Sequence, residues 1–264
     1  MNNSAGAILT AQDLWAGYGG APVVRGVDFA VAPGRLTAIL GPNGCGKSTL
    51  LRTLAGLQKA ERGEVTLGGR PIARMGSKAL ARVVSVLAQN SVAPERLTVG
   101  DLVRQGRYPH RGLFSMWSSS DQAAVDEALE MTGTAHLADR AMETLSGGQR
   151  QRAWIAMTLA QQGEILLLDE PTTFLDPAHQ LEVLGLIRAL SEAGKTVVTV
   201  LHDLNLAAEF AGEVVLMREG EIRARGTPRE ALTEATLAQV FGLSALVVTN
   251  PETGAPVCLP RAPQ

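Results

Sequence analysis

The sequence predicts an α/β fold: a mostly parallel sheet with helices on both faces, an antiparallel β flank and an inserted α-helical subdomain. Three short apolar runs, residues 36–40, 165–168 and 197–201, lack alternation, which is typical of parallel strands covered on both faces. Residues 177–193, between the last two runs, repeat Leu or Ile at three-residue steps and so predict a crossover helix. A glycine-rich loop follows the first run. Together these features predict the core of the fold.

The flank and the insertion are predicted from turn and helix signals. Strand-like pieces at 23–31 and 64–67 are separated by Gly and Pro, which predicts short antiparallel strands before the core continues. From 98 to 161 the apolar spacing becomes helical, and Thr98 and Asp101 have the spacing of a capping box. This stretch is therefore the predicted helical insertion.

The second half of the chain has equally clear boundaries. Asp176 at the N-cap, Pro177 at N1 and Gly194 past the end delimit the crossover helix. Residues 213–217 and 221–224 predict two further strands, followed by a helical stretch to residue 241 and a proline-rich tail.

The length of 264 residues fits one large domain with an insertion. We predict an α/β core formed by residues 1–89 and 162–243, a helical subdomain at 90–161, and a C-terminal tail at 244–264.

Composition excludes several classes of function. The formal net charge of −2 and the isoelectric point near 6.1 argue against a general nucleic-acid or anionic-membrane binder, so we expect no nucleic-acid partner. Cys45 and Cys258 lie far apart without metal-ligand spacing, which favours neither a disulfide framework nor a zinc site. The N-terminus lacks a signal-peptide pattern, and the apolar runs are shorter than the roughly 20 residues that span a bilayer. These features favour a soluble chain in the reducing cytoplasm.

Residues 41–49 form a glycine-rich segment between a predicted strand and a predicted helix, the context of a phosphate-binding loop. We call them the phosphate loop: Gly41, Pro42, Asn43, Gly44, Cys45, Gly46, Lys47, Ser48 and Thr49. Its glycines let backbone N–H groups close around phosphate oxygens, and the helix N-terminus adds positive potential. Lys47 is expected to reach the β- and γ-phosphates, and Ser48 to bind Mg²⁺. The segment predicts a P-loop NTPase core that binds a nucleoside triphosphate.

Two carboxylates end the second apolar run. Asp169 follows the run directly, and Glu170 is the next residue. Asp169 is placed to hold Mg²⁺ directly or through water, and Glu170 to polarise the attacking water as a general base. The alternative is a strand that simply ends in surface carboxylates, and the presence of the phosphate loop in the same chain argues against it.

A third motif occupies residues 145–149, Leu145-Ser146-Gly147-Gly148-Gln149, at the start of an apolar-periodic helix. Such a start presents N–H groups to an anion. By itself the motif also fits an ordinary Ser N-cap followed by glycines.

In residues 145–149 the chain resembles the nucleotide-binding subunits of ABC (ATP-binding cassette) transporters. Their signature is the same five residues, placed shortly before the strand that ends in the two carboxylates. We call residues 145–149 the signature segment. The resemblance implies ATP and Mg²⁺ as cofactors, with nucleotide contacts from Ser146, Gly147, Gly148 and Gln149.

The resemblance assigns further roles. Gln89 is similar to the glutamine that touches Mg²⁺ and links the nucleotide site to the membrane partner. His202 matches the histidine that contacts the γ-phosphate, and Tyr18 resembles the aromatic residue that stacks on adenine, with Trp15 as a rival. Asp176 belongs to the family's D-loop, residues 174–176 here, and is expected to contact the second subunit.

The family likeness also implies an assembly. The signature segment of one subunit closes over the ATP of the other, so we expect a homodimer or a pair with a related ATPase subunit. Residues 103–110 and 171–180 look like those of iron-chelate importers, and residues 152–157 are similar to those of the ferric-enterobactin type. Cobalamin and haem importers share part of this sequence. Such ATPases sit beneath a separate permease dimer, at the cytoplasmic face of the inner membrane, and a periplasmic or lipid-anchored binding protein delivers the chelate.

Other readings stay open at this stage. Soluble ABC proteins that act on DNA or the ribosome usually carry coiled-coil insertions or tandem cassettes, which this sequence lacks, and an exporter ATPase is disfavoured by resemblance alone. A basic cluster, Arg104, Arg107, His110 and Arg111, is either a solvated face or a lipid-headgroup contact. Cys45 is either a reactive thiolate near a helix N-terminus or an inert buried thiol.

Overall fold

The computed structural model describes residues 9–89, 94–112 and 116–262. The strands in chain order are β1 (Leu9–Ala16), β2 (Val24–Ala30), β3 (Leu36–Leu40), β4 (Arg62–Leu67), β5 (Arg70–Pro71), β6 (Val84–Leu87), β7 (Ile165–Asp169), β8 (Thr196–Val200), β9 (Glu213–Arg218), β10 (Glu221–Gly226), β11 (Ala245–Thr249) and β12 (Pro256–Pro260). The helices are α1 (Lys47–Leu54), α2 (Ser77–Ala81), α3 (Val99–Gln105), α4 (Ser119–Met131), α5 (Gly147–Ala160), α6 (Pro177–Glu192), α7 (Leu204–Phe210), α8 (Pro228–Ala231) and α9 (Glu234–Phe241).

The chain divides into two compact units. The first unit comprises the residues up to Arg74 and from Arg188 onward, and the second unit comprises Met75–Ile187. The crossover helix α6 passes from the second unit into the first. Within the described ranges, no helix is long and apolar enough to cross a membrane.

The first unit contains parallel and antiparallel strands. Strand β3 pairs in parallel with β8 on one side and β9 on the other, and β10 adds an antiparallel strand next to β9. All five residues of β3 and all five of β8 are buried, as the continuous apolar runs predict. A second, antiparallel sheet has the order β2-β1-β4-β5. The predicted α/β class with mostly parallel strands and an antiparallel flank is confirmed.

The second unit is mostly helical. Its strands β6 and β7 pair in parallel, and helices α3, α4 and α5 pack against one another. Thr98 accepts a hydrogen bond from the Asp101 N–H at the start of α3, and Ser118 caps α4 in the same way. The helical pattern that the sequence predicts beyond residue 98 is confirmed.

A buried ion pair joins the three helices. Arg107, just after α3, donates through Nε to Asp121 on α4 at 2.9 Å and through Nη1 to the Ala160 carbonyl at the end of α5 at 2.8 Å. The two side chains are only 5% and 9% exposed. His110 also contacts a carbonyl, that of Gln161, at 2.8 Å. The prediction that the basic cluster faces solvent or lipid headgroups is therefore wrong for Arg107 and His110. Both side chains bond within the fold, to partners that lie 14 to 55 residues away in sequence.

The C-terminal tail forms a hairpin, which the sequence pattern did not indicate. Strands β11 and β12 are antiparallel, with Ala245 and Cys258 buried. The Asn205 side chain of α7 accepts from the Cys258 N–H at 2.7 Å and donates to the Cys258 carbonyl at 3.3 Å. Each strand has only five residues with proline nearby, so its signal is weak, and the contact with α7 fixes it.

Candidate functional site

The phosphate loop connects β3 to α1 in the first unit. Gly46 has φ 105°, a left-handed conformation that favours glycine. A Cβ on Gly41 would lie 2.7 Å from the Cys45 sulfur and nearer still to the Met217 carbonyl oxygen of β9. Because Met217 is in a strand that pairs with β3, no side chain fits at position 41. The loop is held tightly against the sheet by this close approach.

Lys47 begins α1 and is almost completely buried, with 4% of its surface exposed. Its Nζ donates to the Gly41 carbonyl at 2.9 Å and to the Pro42 carbonyl at 3.0 Å. The ammonium group is thus held inside the loop, beside the N-terminus of a helix that adds positive potential. This arrangement concentrates positive charge and N–H donors where the sequence predicts phosphate.

Cys45 lies within the same loop, and the structure decides between its two readings. The side chain is 5% exposed, and burial raises the pKa of its thiol despite the opposing charge of Lys47. The structure favours the inert buried thiol, because the loss of solvent outweighs the charge of Lys47 and the backbone N–H groups that act on the sulfur. Cys45 is a buried thiol whose pKa lies above its ordinary value.

Tyr18 is the better placed of the two aromatic candidates. The residue is 61% exposed, and its hydroxyl lies 3.4 Å from the Thr49 hydroxyl of α1. Trp15 is half-buried; its indole N–H donates to Asp13 at 2.8 Å, and the Arg62 guanidinium lies 5.8 Å from its ring centroid. One aromatic surface is open beside the phosphate loop, while the other is engaged by its own neighbours.

The two carboxylates lie at the end of β7 in the second unit. Asp169 is 2% exposed. Glu170 has φ 53°, a left-handed backbone that is uncommon for a residue other than glycine and that clusters at functional sites. Its Oε2 accepts from the Gln89 amide at 2.6 Å and from the Thr173 hydroxyl at 3.1 Å. The structure thus brings together two predicted residues, Gln89 and Glu170, and adds Thr173, to which the sequence assigned no role in the site.

The signature segment starts helix α5. Ser146 is the N-cap: its hydroxyl accepts from the Gln149 N–H at 3.3 Å, and the Gln149 side chain accepts from the Ser146 N–H at 3.1 Å. This reciprocal capping box fixes both polar side chains. Gly147 and Gly148 occupy the first helical turn, where backbone N–H groups have no acceptor within the helix. The segment is both a capped helix start and a surface that suits an anion.

Two further predicted residues lie at helix starts. In the D-loop, the Asp176 carboxylate accepts from the His179 N–H at 3.0 Å, so it is the N-cap that the sequence predicts for α6. His202 is exposed after β8 in the first unit, and the next residue, Asp203, caps α7. Each of these positions therefore adjoins a capped helix start.

A family model described as ABC transporter matches residues 24–173. The ferric enterobactin transport ATP-binding protein FepC of Escherichia coli K12 is 47% identical over 255 residues, which cover 96% of this chain and 94% of that protein. The hemin import ATP-binding protein HmuV of Pseudomonas putida KT2440 is 39% identical over 259 residues, 96% of this chain and all of that protein.

Solved structures of ABC proteins also match this chain. A metal-chelate type ABC transporter in an inward-facing conformation matches with a TM-score of 0.84 and 30% identity, covering 97% of this chain and 98% of that one. An ATP-binding cassette solved as a dimer with ADP and phosphate, in a post-hydrolysis state, matches with a TM-score of 0.72 and 27% identity, covering 83% and 98%.

Proposed function

Because this chain belongs to the ABC transporter family, we propose that it is the ATP-hydrolysing subunit that powers import of an iron–siderophore complex through a separate permease. The observation that carries the ATPase part is the phosphate loop, in which Gly41 admits no side chain and buried Lys47 is held inside the loop. The 47% identity with a ferric enterobactin transport protein supports the cargo class.

The first unit supplies the groups that bind ATP. The N–H groups of the phosphate loop and the start of α1 hold the phosphate oxygens. Lys47 exchanges the carbonyls of Gly41 and Pro42 for β- and γ-phosphate oxygens, which bind its ammonium group more strongly because they are charged. The open face of Tyr18 stacks on the adenine.

The residues that we propose for Mg²⁺ fit this ion. The Ser48 hydroxyl, the Asp169 carboxylate and the Gln89 amide all offer oxygen, the ligand type that Mg²⁺ prefers, and only the carboxylate is charged. When bound, the ion neutralises charge on the β- and γ-phosphates.

Glu170 acts as the general base in this proposal. It accepts a proton from the attacking water as the water oxygen bonds to the γ-phosphorus and the bond to the β-phosphate oxygen breaks, giving ADP and phosphate. Gln89 and Thr173 both donate to Glu170 Oε2, which keeps the carboxylate in one position. His202 contacts the γ-phosphate and helps to orient the water.

The working unit in this proposal is a head-to-tail dimer, a homodimer or a pair with a related ATPase subunit. The signature segment of each copy covers the ATP bound by the other, and hydrolysis reopens the pair. The dimeric cassette that matches this chain supports such a pairing. The dimer binds permease subunits at the cytoplasmic face of the inner membrane, and a periplasmic or lipid-anchored binding protein supplies the chelate.

Haem import is the second candidate, because a hemin import protein is 39% identical to this chain. Cobalamin is a third possible cargo in the same group of importers. Uptake assays in a strain that lacks this chain separate the cargoes. We expect loss of labelled ferric-siderophore uptake with haem and cobalamin uptake retained, and loss of haem uptake alone would replace the proposed cargo.

The ATPase cycle is tested with Glu170→Gln, which keeps the size of the side chain and removes the base. We expect this variant to bind Mg-ATP and to form a stable dimer, which light scattering after size exclusion detects. Lys47→Ala in the same background is the control, because it removes the phosphate contact and should leave the chain monomeric. A Glu170→Gln chain that stays monomeric in saturating Mg-ATP would refute the proposed cycle.

A further inference from the structure

His179, in the first turn of α6, makes an unusually complete set of contacts with the D-loop. Its ring Nδ1 lies 2.8 Å from both carboxylate oxygens of Asp176, and its backbone N–H donates to Asp176 Oδ1 at 3.0 Å. These hydrogen bonds lower the pKa of Asp176. One residue therefore holds the carboxylate of the D-loop through both its ring and its backbone N–H.

The same ring packs on the signature segment. A Cβ on Gly148 would lie 2.8 Å from His179 Cγ and 3.1 Å from Nε2, with Cδ2 nearer still. A Cβ on the neighbouring Gly147 would lie 3.4 Å from Leu175 in the D-loop. The atoms at Gly148 belong to a rigid aromatic ring, which cannot bend away as the end of a flexible side chain could. The first turn of α5 thus rests on two residues that flank Asp176.

The ring contact explains why glycine is needed at position 148 of the signature segment. Gly148 is buried by the imidazole ring, whereas Gly147 is exposed. A larger residue at 148 would displace His179 and release the Asp176 carboxylate from Nδ1. One side chain, His179, therefore contacts both Gly148 of the signature segment and Asp176 of the D-loop.

We propose that His179 is a positioning residue that joins the signature segment to the D-loop, so that both meet the ATP held by the second copy as one rigid surface. This inference rests on the proposed function, because that surface matters only in the dimer. His179 itself acts through Asp176 and Gly148. Without the imidazole, the D-loop and the helix start must be ordered separately when the dimer closes, which raises the entropic cost of closure.

Two isosteric variants test the role of Nδ1. The amide nitrogen of Asn occupies the position of His Nδ1, and that of Gln the position of Nε2. Gln at the third helical residue suits a capping box, so it should leave the helix start intact. In the Glu170→Gln background, we expect His179→Asn to dimerise at an ATP concentration within twofold of the parent, and His179→Gln and His179→Ala to need at least fivefold more.

Two further measurements separate positioning from folding. ATP binding to the monomer, followed with a fluorescent analogue at high dilution, should be unchanged in all three variants, and the melting temperatures of the Asn and Gln variants should agree within about 2 °C. Equal ATP midpoints for the parent, His179→Asn and His179→Gln would overturn the inference and leave the proposed function intact.

A double-mutant cycle tests the ring contact without any dimer. Gly148→Ala should lower the melting temperature when His179 is present and by clearly less in the His179→Ala background, because the clash is then relieved. The same decrease in both backgrounds would overturn the contact. If the Glu170→Gln parent itself fails to dimerise, both the proposed function and the role of His179 in dimer closure are refuted. The double-mutant cycle then still decides whether His179 joins the signature segment to the D-loop.

Discussion

Replacement of Asp121 by Ala is expected to destabilise the second unit strongly, because it leaves the Arg107 guanidinium buried without its counter-charge. The two side chains are 5% and 9% exposed and are joined by a 2.9 Å hydrogen bond. Arg107 keeps the Ala160 carbonyl and Gln162 as acceptors, but neither is charged. The variant also loses the 2.6 Å hydrogen bond from the Ser118 hydroxyl at the start of α4.

Breaking a buried ion pair by removing one partner costs about 3–5 kcal/mol. For a chain of this size, about 3 kcal/mol corresponds to a decrease of roughly 6–12 °C in melting temperature. The double variant Arg107→Met with Asp121→Leu should recover most of this loss, since well-packed apolar replacements of buried pairs are often neutral. Non-additivity between the single variants measures the pair itself.

The same carboxylate predicts a dependence of stability on pH. Its hydrogen bond from Ser118, followed by that from Arg107, lowers the pKa of Asp121 from 3.8 to about 2. Since the folded pKa lies below the unfolded one, the stabilisation is complete above about pH 4 and is lost as the pH falls toward 2. In Asp121→Asn the urea midpoint should therefore vary less with pH between 4 and 2 than in the parent.

A matched control is available on the surface. Arg188 donates to Glu192 at the same 2.9 Å, but these side chains are 50% and 66% exposed. Glu192→Ala should cost less than about 1 kcal/mol. Urea unfolding by circular dichroism gives the free energies, and hydrogen exchange should locate the Asp121 effect in α3, α4 and α5. A loss for Asp121→Ala no larger than for Glu192→Ala would refute this account of the buried pair.

Three predictions concern the phosphate loop and its neighbours. Cys45 should react with iodoacetamide more slowly than a free thiol at pH 8, because burial raises its pKa, and its own reaction rate should rise as the pH is raised further. Rapid labelling of Cys45 at pH 7 would contradict the assignment. Gly41→Ala should abolish binding of a fluorescent ATP analogue, whereas Gly34→Ala, at a left-handed glycine with open space around it, should not. Tyr18→Ala should raise the Kd for ATP roughly 5- to 100-fold through lost stacking, while Trp15→Phe changes it less than twofold; the reverse order in isothermal titration calorimetry would make Trp15 the adenine contact.

The strands of the core could be located from the sequence because their burial is complete and local. Residues 36–40 are apolar or small throughout, and all five are buried in β3. The glycine-rich loop that follows could also be predicted, because it must join a strand to a helix start through a tight turn within nine residues. Cap signals worked for the same reason: Ser146 and Asp176 bond to N–H groups three residues away.

Long-range partners could not be predicted in this way. Arg107 and His110 were interpreted as part of a solvated face or a lipid-headgroup contact, but their acceptors are Asp121 on α4 and the Gln161 carbonyl just after α5. The pKa of Cys45 depends on how much solvent the fold removes, which a helix N-terminus alone does not indicate. The hairpin of β11 and β12 has weak local signals and is fixed by Asn205.

The sequence by itself determined the nucleotide chemistry of this protein, because phosphate binding needs a short contiguous run of glycines, a lysine and a helix start. Only the tertiary structure revealed how the supporting groups meet: Gln89 at Glu170, 81 residues away, and the His179 ring on Gly148, 31 residues away. Local motifs are encoded by neighbouring residues, whereas packing and burial are set by the whole fold.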